Sequence, residues 1–141
     1  MYVFPAIGLG AVLCKPEWIT DTMVYAVSKA LANSLNEQEK ARGELYPRIE
    51  RIREVSAQLA AAFIHQAVRE NVAKDPKWVQ LAESSSVASG QDAAPDGRYA
   101  QRVAQEVTRY MWEPAETLEQ LRASLPHYHH HPVVHSENGK L

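Results

Sequence analysis

Apolar and polar positions alternate along this chain in several distinct rhythms. Residues 1–14, "MYVFPAIGLGAVLC", carry no charge at all. Tyr2, Val3 and Phe4 form a β-prone run, and Pro5 ends it because proline supplies no ladder donor. The pattern predicts one short strand over 2–4, then a short apolar helix over 8–14, with Lys15-Pro16 as its exit. Met23, Val24, Val27, Ala30, Leu31 and Leu35 then recur at helical spacing. Thr20 stands ahead of them as an N-cap, with Asp21 in the first turn where a negative charge suits the helix dipole. Asn36 and Glu39 form a capping-box variant opening a shorter helix, and Gly43 closes it.

The strongest signal runs from Arg48 to Val72. Ile49, Ile52, Val55, Leu59, Ala60, Phe63, Ile64, Ala67, Val68 and Val72 return every three or four residues as one apolar stripe. A helix of that length extends roughly 37 Å. Alone it would expose far more than the few hundred Å² a monomer shows, so it reads as packing against a larger body or a partner chain. Residues 84–98 are small, polar and turn-rich and read as a flexible loop. A last helix is expected over 98–111, with Val103 and Val107 on one face and Pro114 as its stop. The stretch after Pro126 has no periodicity and reads as a disordered, His-rich tail, 127–141. The segment is thus mainly α with one short N-terminal strand.

Composition adds limits. The chain has 141 residues, 45% hydrophobic and 23% charged, with a net charge of −2. Such a chain buries about 68–70% of its unfolded surface on folding. No basic excess marks a nucleic-acid or anionic-membrane surface. The uncharged opening is shorter than the ~20 residues of a membrane helix and lacks a basic n-region. It starts within the expected strand with no lead-in, as a truncated gene model would.

Four sets of residues bear on chemistry. Gly8 and Gly10 open a G-x-G, but Leu13 stands where the dinucleotide fingerprint needs its third glycine, and residues 28–35 hold no acid. The pair reads as close packing rather than a phosphate cradle. Cys14, the lone cysteine, reads as a small buried hydrophobe. His127, His129, His130, His131 and His135 lack the fixed geometry of a metal site, and His65 reads as a boundary residue of the long helix. Glu50 and Glu54, among Arg51 and Arg53, read as a salt-bridged face, and Ser56 has no His–Asp set nearby. No catalytic, cofactor-binding or metal residue is assigned.

Four strings carry a resemblance: "YVFPAIGLG" (2–10), "ITD" (19–21), "GELYPRIERIREVS" (43–56) and "MWEP" (111–114). In order and spacing they resemble the C-terminal part of the malic enzymes, the last string fungal members in particular. The resemblance implies an α/β Rossmann-like enzyme, incomplete here, that oxidatively decarboxylates L-malate to pyruvate and CO2. It implies NAD or NADP and magnesium or manganese, with the lysine base, tyrosine acid and metal carboxylates upstream of this stretch. An asparagine pair next to malate would fall just before Met1. The family's Pro-Gly reads Pro5-Ala6 here, which requires a backbone tolerant of negative φ.

The same resemblance divides the chain into 1–74, part of the NAD-binding and substrate α/β region, and 75–126, a helical extension with the 84–98 loop, before the tail. It implies homo-oligomer contacts through the Ile49–Val72 helix and the extension. Another reading makes the chain a non-catalytic interaction module that binds full-length malic enzyme subunits. NAD against NADP, and mitochondrion against cytoplasm, depend on residues elsewhere.

Overall fold

The computed structural model describes residues 1–86 and 97–112. Among the described residues six helices follow in order: α1 (Val3–Cys14), α2 (Asp21–Ala32), α3 (Glu37–Ala41), α4 (Ile52–Arg69), α5 (Pro76–Ser86) and α6 (Gly97–Thr108), with a 3-10 turn at Ile49–Arg51 leading into α4. Residues 1–111 form one unit. Helix α4 is its axis, and α1, α2, α5 and α6 all pack on it.

The expected strand at 2–4 is absent: Val3 and Phe4 open α1. Pro5 does not end the run because it occupies the third helical position. There the amide hydrogen it lacks would have no intrahelical acceptor anyway. Packing on α4 then outweighs the β-propensity of three residues. Ala6 is buried in α1, so the alanine that replaces the family's glycine sits in helical backbone and needs no positive φ.

The capping signals hold. Met23 N–H donates to Thr20 Oγ1 at 3.2 Å, and Met23 and Val27 turn into the core. Asn36 Oδ1 accepts from Glu39 N–H at 2.8 Å, while Glu39 Oε2 accepts from Asn36 N–H at 2.8 Å. Gly43, at φ +70°, follows α3. Its N–H reaches Lys40 O, and Glu44 N–H reaches Glu39 O, the paired bonds of a Schellman end. Asn71 (φ 56°) ends α4 in the same way, with Val72 N–H on Ala67 O. The long helix is therefore shorter at its C-terminus than its apolar period implied.

Helix α5 opens the helical extension that the resemblance implies, although no residue pattern singles it out. Its start is an Asp-Pro signal: Pro76 is the first helical residue and Asp75 Oδ1 accepts from Lys77 N–H at 3.1 Å. Of the expected 84–98 loop, Ser84–Ser86 belong to α5, Gly97 and Arg98 belong to α6, and residues 87–96 lie outside the described residues. The end of the "MWEP" string and the histidine tail also lie outside them.

The α4 stripe is not left open. Val55, Leu59, Ala60, Phe63, Ile64 and Ala67 are all buried, covered from within the chain. Val103 and Val107 of α6 are fully buried, as their spacing predicted. Ile49, at the start of the stripe, stays exposed, and Ile52 and Val68 are partly buried. No described helix is long and apolar enough to cross a membrane.

Candidate functional site

The residues weighed for chemistry lie in different places. Gly8 and Gly10 both sit inside α1, so no strand-to-helix turn presents their amides to a phosphate. Gly10 serves packing. A β-carbon there would stand 2.6 Å from Phe63 Cδ1 and 3.2 Å from Phe63 Cβ. The close approach joins two helices, not a strand and a helix.

Cys14 ends α1 fully buried, and burial pushes its thiol up to about 11. At that value it is an inert thiol. Burial, with Arg69 nearby, lowers the pKa of His65 on α4. Ser56 is buried inside α4. Among the described residues no three of His, Cys, Asp and Glu converge as metal ligands.

What the fold does bring together is the 34–51 turn and the start of α1. Its centre is Glu39, buried on α3. Besides Asn36 N–H, its carboxylate accepts from Arg48 N–H (Oε1, 2.9 Å) and pairs with Arg51 Nη1 (Oε2, 2.5 Å). Arg51 also donates to Ser34 O at 3.2 Å and forks onto Glu54. The amide of Arg48, then Asn36 and the Arg51 guanidinium, hold Glu39 below the usual carboxylate range against the opposing effect of burial.

From the other side, the buried Tyr2 donates its hydroxyl to Pro47 O at 2.5 Å. The two strings "YVFPAIGLG" and "LYP" are thus fastened to each other. Sequence spacing had read Arg51 as part of a solvated face with Glu50 and Glu54. The Glu54 pair is there, but the inward pair to Glu39 spans twelve residues and leaves no local signature.

Glu39 makes the unit acid-sensitive. A carboxyl held low in the folded state contributes stability above its unfolded pKa of about 4.3. That contribution is lost as pH falls through the lower folded value. We expect Glu39→Gln to lower the melting temperature at pH 7 and to flatten the acid limb of the stability–pH curve. Glu54 and Glu70, also held low by hydrogen-bonding neighbours, leave a residual slope. Thermal unfolding from pH 7 to pH 3 checks this, and an unchanged acid limb would count against it.

A second network ties α2 to the end of α4. Glu70 accepts from Thr20 Oγ1 (2.7 Å), Thr22 Oγ1 (2.5 Å) and Gln66 Nε2 (2.6 Å). A third set closes α1: Leu13 O accepts from Trp78 Nε1 at 3.0 Å, and Cys14 O from Lys74 and Asp75 N–H. The printed bonds of these sets run within the chain and position backbone. Gly8 and Gly10, inside α1, form no pyrophosphate cradle, and among the described residues no three metal-ligating side chains converge.

The family model "Malic enzyme, NAD binding domain" matches residues 1–68. An NADP-dependent malic enzyme of Dictyostelium discoideum is 36% identical over 77 residues, 55% of this chain and 14% of that protein. The 59 kDa isoform of a mitochondrial NAD-dependent malic enzyme of Solanum tuberosum is 45% identical over 74 residues, 52% and 12% of the two lengths. An NAD-dependent malic enzyme of Psychrobacter cryohalolentis is 43% identical over 72 residues, 51% and 13%. The aligned part of the chain therefore spans 12–14% of the length of these relatives.

Proposed function

We propose, from the family match over residues 1–68, that the chain is the C-terminal segment of an NAD(P)-dependent malic enzyme. The reaction it serves is oxidative decarboxylation of L-malate to pyruvate and CO2, with NAD or NADP and magnesium or manganese. The segment's part in it is scaffolding. Helix α1 and the Leu45–Pro47 turn are held in register by Tyr2 and Glu39. The groups that touch malate, nicotinamide and metal belong to the rest of the enzyme. Homo-oligomer contacts, on this reading, involve the Ile49–Val72 helix, whose Ile49 is exposed, and the C-terminal extension.

The observation that supports the reading is the match over residues 1–68, whose two most distinctive strings meet at the Tyr2–Pro47 bond. The purified chain, given L-malate, manganese and either NAD or NADP, is expected to reduce neither above the buffer rate. Absorbance at 340 nm reads this out, and turnover by the chain alone would overturn the assignment of its chemistry to other parts.

A further inference from the structure

Helix α1 is apolar on every side, which is the pattern of a helix enclosed in a core. Its inward face, Ala6, Gly10, Leu13 and Cys14, is buried. Its outward face is Phe4, Gly8 and Val12, one residue every fourth position, with Phe4 86% and Val12 72% exposed. No charge interrupts residues 1–14. Gly8 adds a second, independent observation. A glycine inside a helix is destabilising relative to alanine. Gly10 has a use for its missing side chain, since Phe63 fills the space. Gly8 has none: a β-carbon there would meet nothing within 4 Å.

We propose that the Phe4–Gly8–Val12 strip is a docking face for an apolar element of the remainder of the malic enzyme NAD-binding domain, with Gly8 as the notch into which that element's backbone descends. This rests on the reading under Proposed function. The occupant follows from three points. The matched family is that of a domain, and the aligned residues make up only 12–14% of the relatives' length. The face is uncharged, so its counterpart is uncharged, and neither a nucleic acid nor an anionic lipid surface finds cations there. The strip is also small. A twelve-residue helix presents a footprint roughly 18 Å long and 10 Å wide, well short of the ~800 Å² per partner of a stable dimer. Packing within one continuous domain has no such threshold.

The test uses a chimera in which this chain replaces the aligned segment of the 59 kDa Solanum tuberosum isoform. Gly8→Leu and Phe4→Glu are made in both the chimera and the isolated chain, with Tyr25→Glu, on the exposed face of α2, as control. In the isolated chain Gly8→Leu melts no lower than the parent, because its side chain enters open space. In the chimera both variants lower the melting temperature by several degrees and speed limited proteolysis, and Tyr25→Glu does neither. Three results would overturn the proposal: variants that leave the chimera unchanged, a Gly8→Leu isolated chain that melts lower, or an isolated chain that sediments as a dimer dissociated by Phe4→Glu. A parent chimera that does not fold would also overturn it. A folded parent chimera without malate-dependent NAD reduction would strike the functional reading instead, whatever the melting shifts show.

Discussion

A chain ended at Lys74 will lose the cooperative thermal transition shown by a chain ended at Met111. The shorter chain contains all of the family match, yet it lacks one wall of its core. Trp78, Val103 and Val107 are buried and come from α5 and α6. Fully burying such side chains contributes about 1.5–3 kcal/mol each. Their combined loss, on the order of 6 kcal/mol, is comparable with the whole stability of a small domain, about 5–15 kcal/mol. The truncation also removes the Trp78 Nε1 donor on Leu13 O and one of the two amides on Cys14 O. Circular dichroism melts at 222 nm distinguish the cases. A cooperative transition in the 1–74 chain would show that α5 and α6 are accessory to this fold.

The second large effect is a pair of opposite signs from the same glycine-to-alanine change at two positions. Gly10→Ala is expected to destabilise the chain by about 1–3 kcal/mol, because overpacking forces a well-packed core to shift. The atom it meets is not the tip of a flexible side chain. The new methyl would stand 2.6 Å from one ring carbon of a fully buried phenylalanine and 3.2 Å from its β-carbon, so both the ring and the α4 backbone must give. Gly8→Ala, two residues earlier in the same helix, meets nothing within 4 Å. It should stabilise by roughly 0.5–1 kcal/mol, the propensity difference between the two residues. Urea unfolding midpoints at unchanged slope read both. Equal signs would mean that α1 and α4 are not in contact at Gly10.

These two results depend on features that were unequally legible in the sequence. Local grammar carried well: Thr20, the Asn36–Glu39 box, Gly43 and the α4 stripe all act within a few residues and appear where the spacing placed them. The opening was misread because Tyr2-Val3-Phe4 has strand propensity, while the contact that decides its conformation, Gly10 on Phe63, spans more than fifty residues. Residues 8–14 read as a helix, so the error is confined to 2–4, whereas the packing of α1, α2, α5 and α6 on α4 leaves no local signature. The Asp75-Pro76 start of α5 was available but was followed by a serine-rich run that reads as loop.

The same contrast holds for the candidate site. Glu39 was legible as a capping residue, not as the anchor of Arg48 and Arg51, since its role is set by chain folding back on itself. The strings that carry the resemblance to malic enzymes hold no set of residues that reads as a site, so they point to a family more readily than to a site.

The central claim is that this chain completes an active site it does not contain. Its most direct test is the rate of malate-dependent NAD reduction by the parent chimera with the 59 kDa Solanum tuberosum isoform, measured beside that isoform lacking the aligned segment. The account predicts activity in the chimera and none in the shortened isoform. A folded chimera that leaves NAD unreduced, or a shortened isoform that turns over malate without the segment, would contradict it.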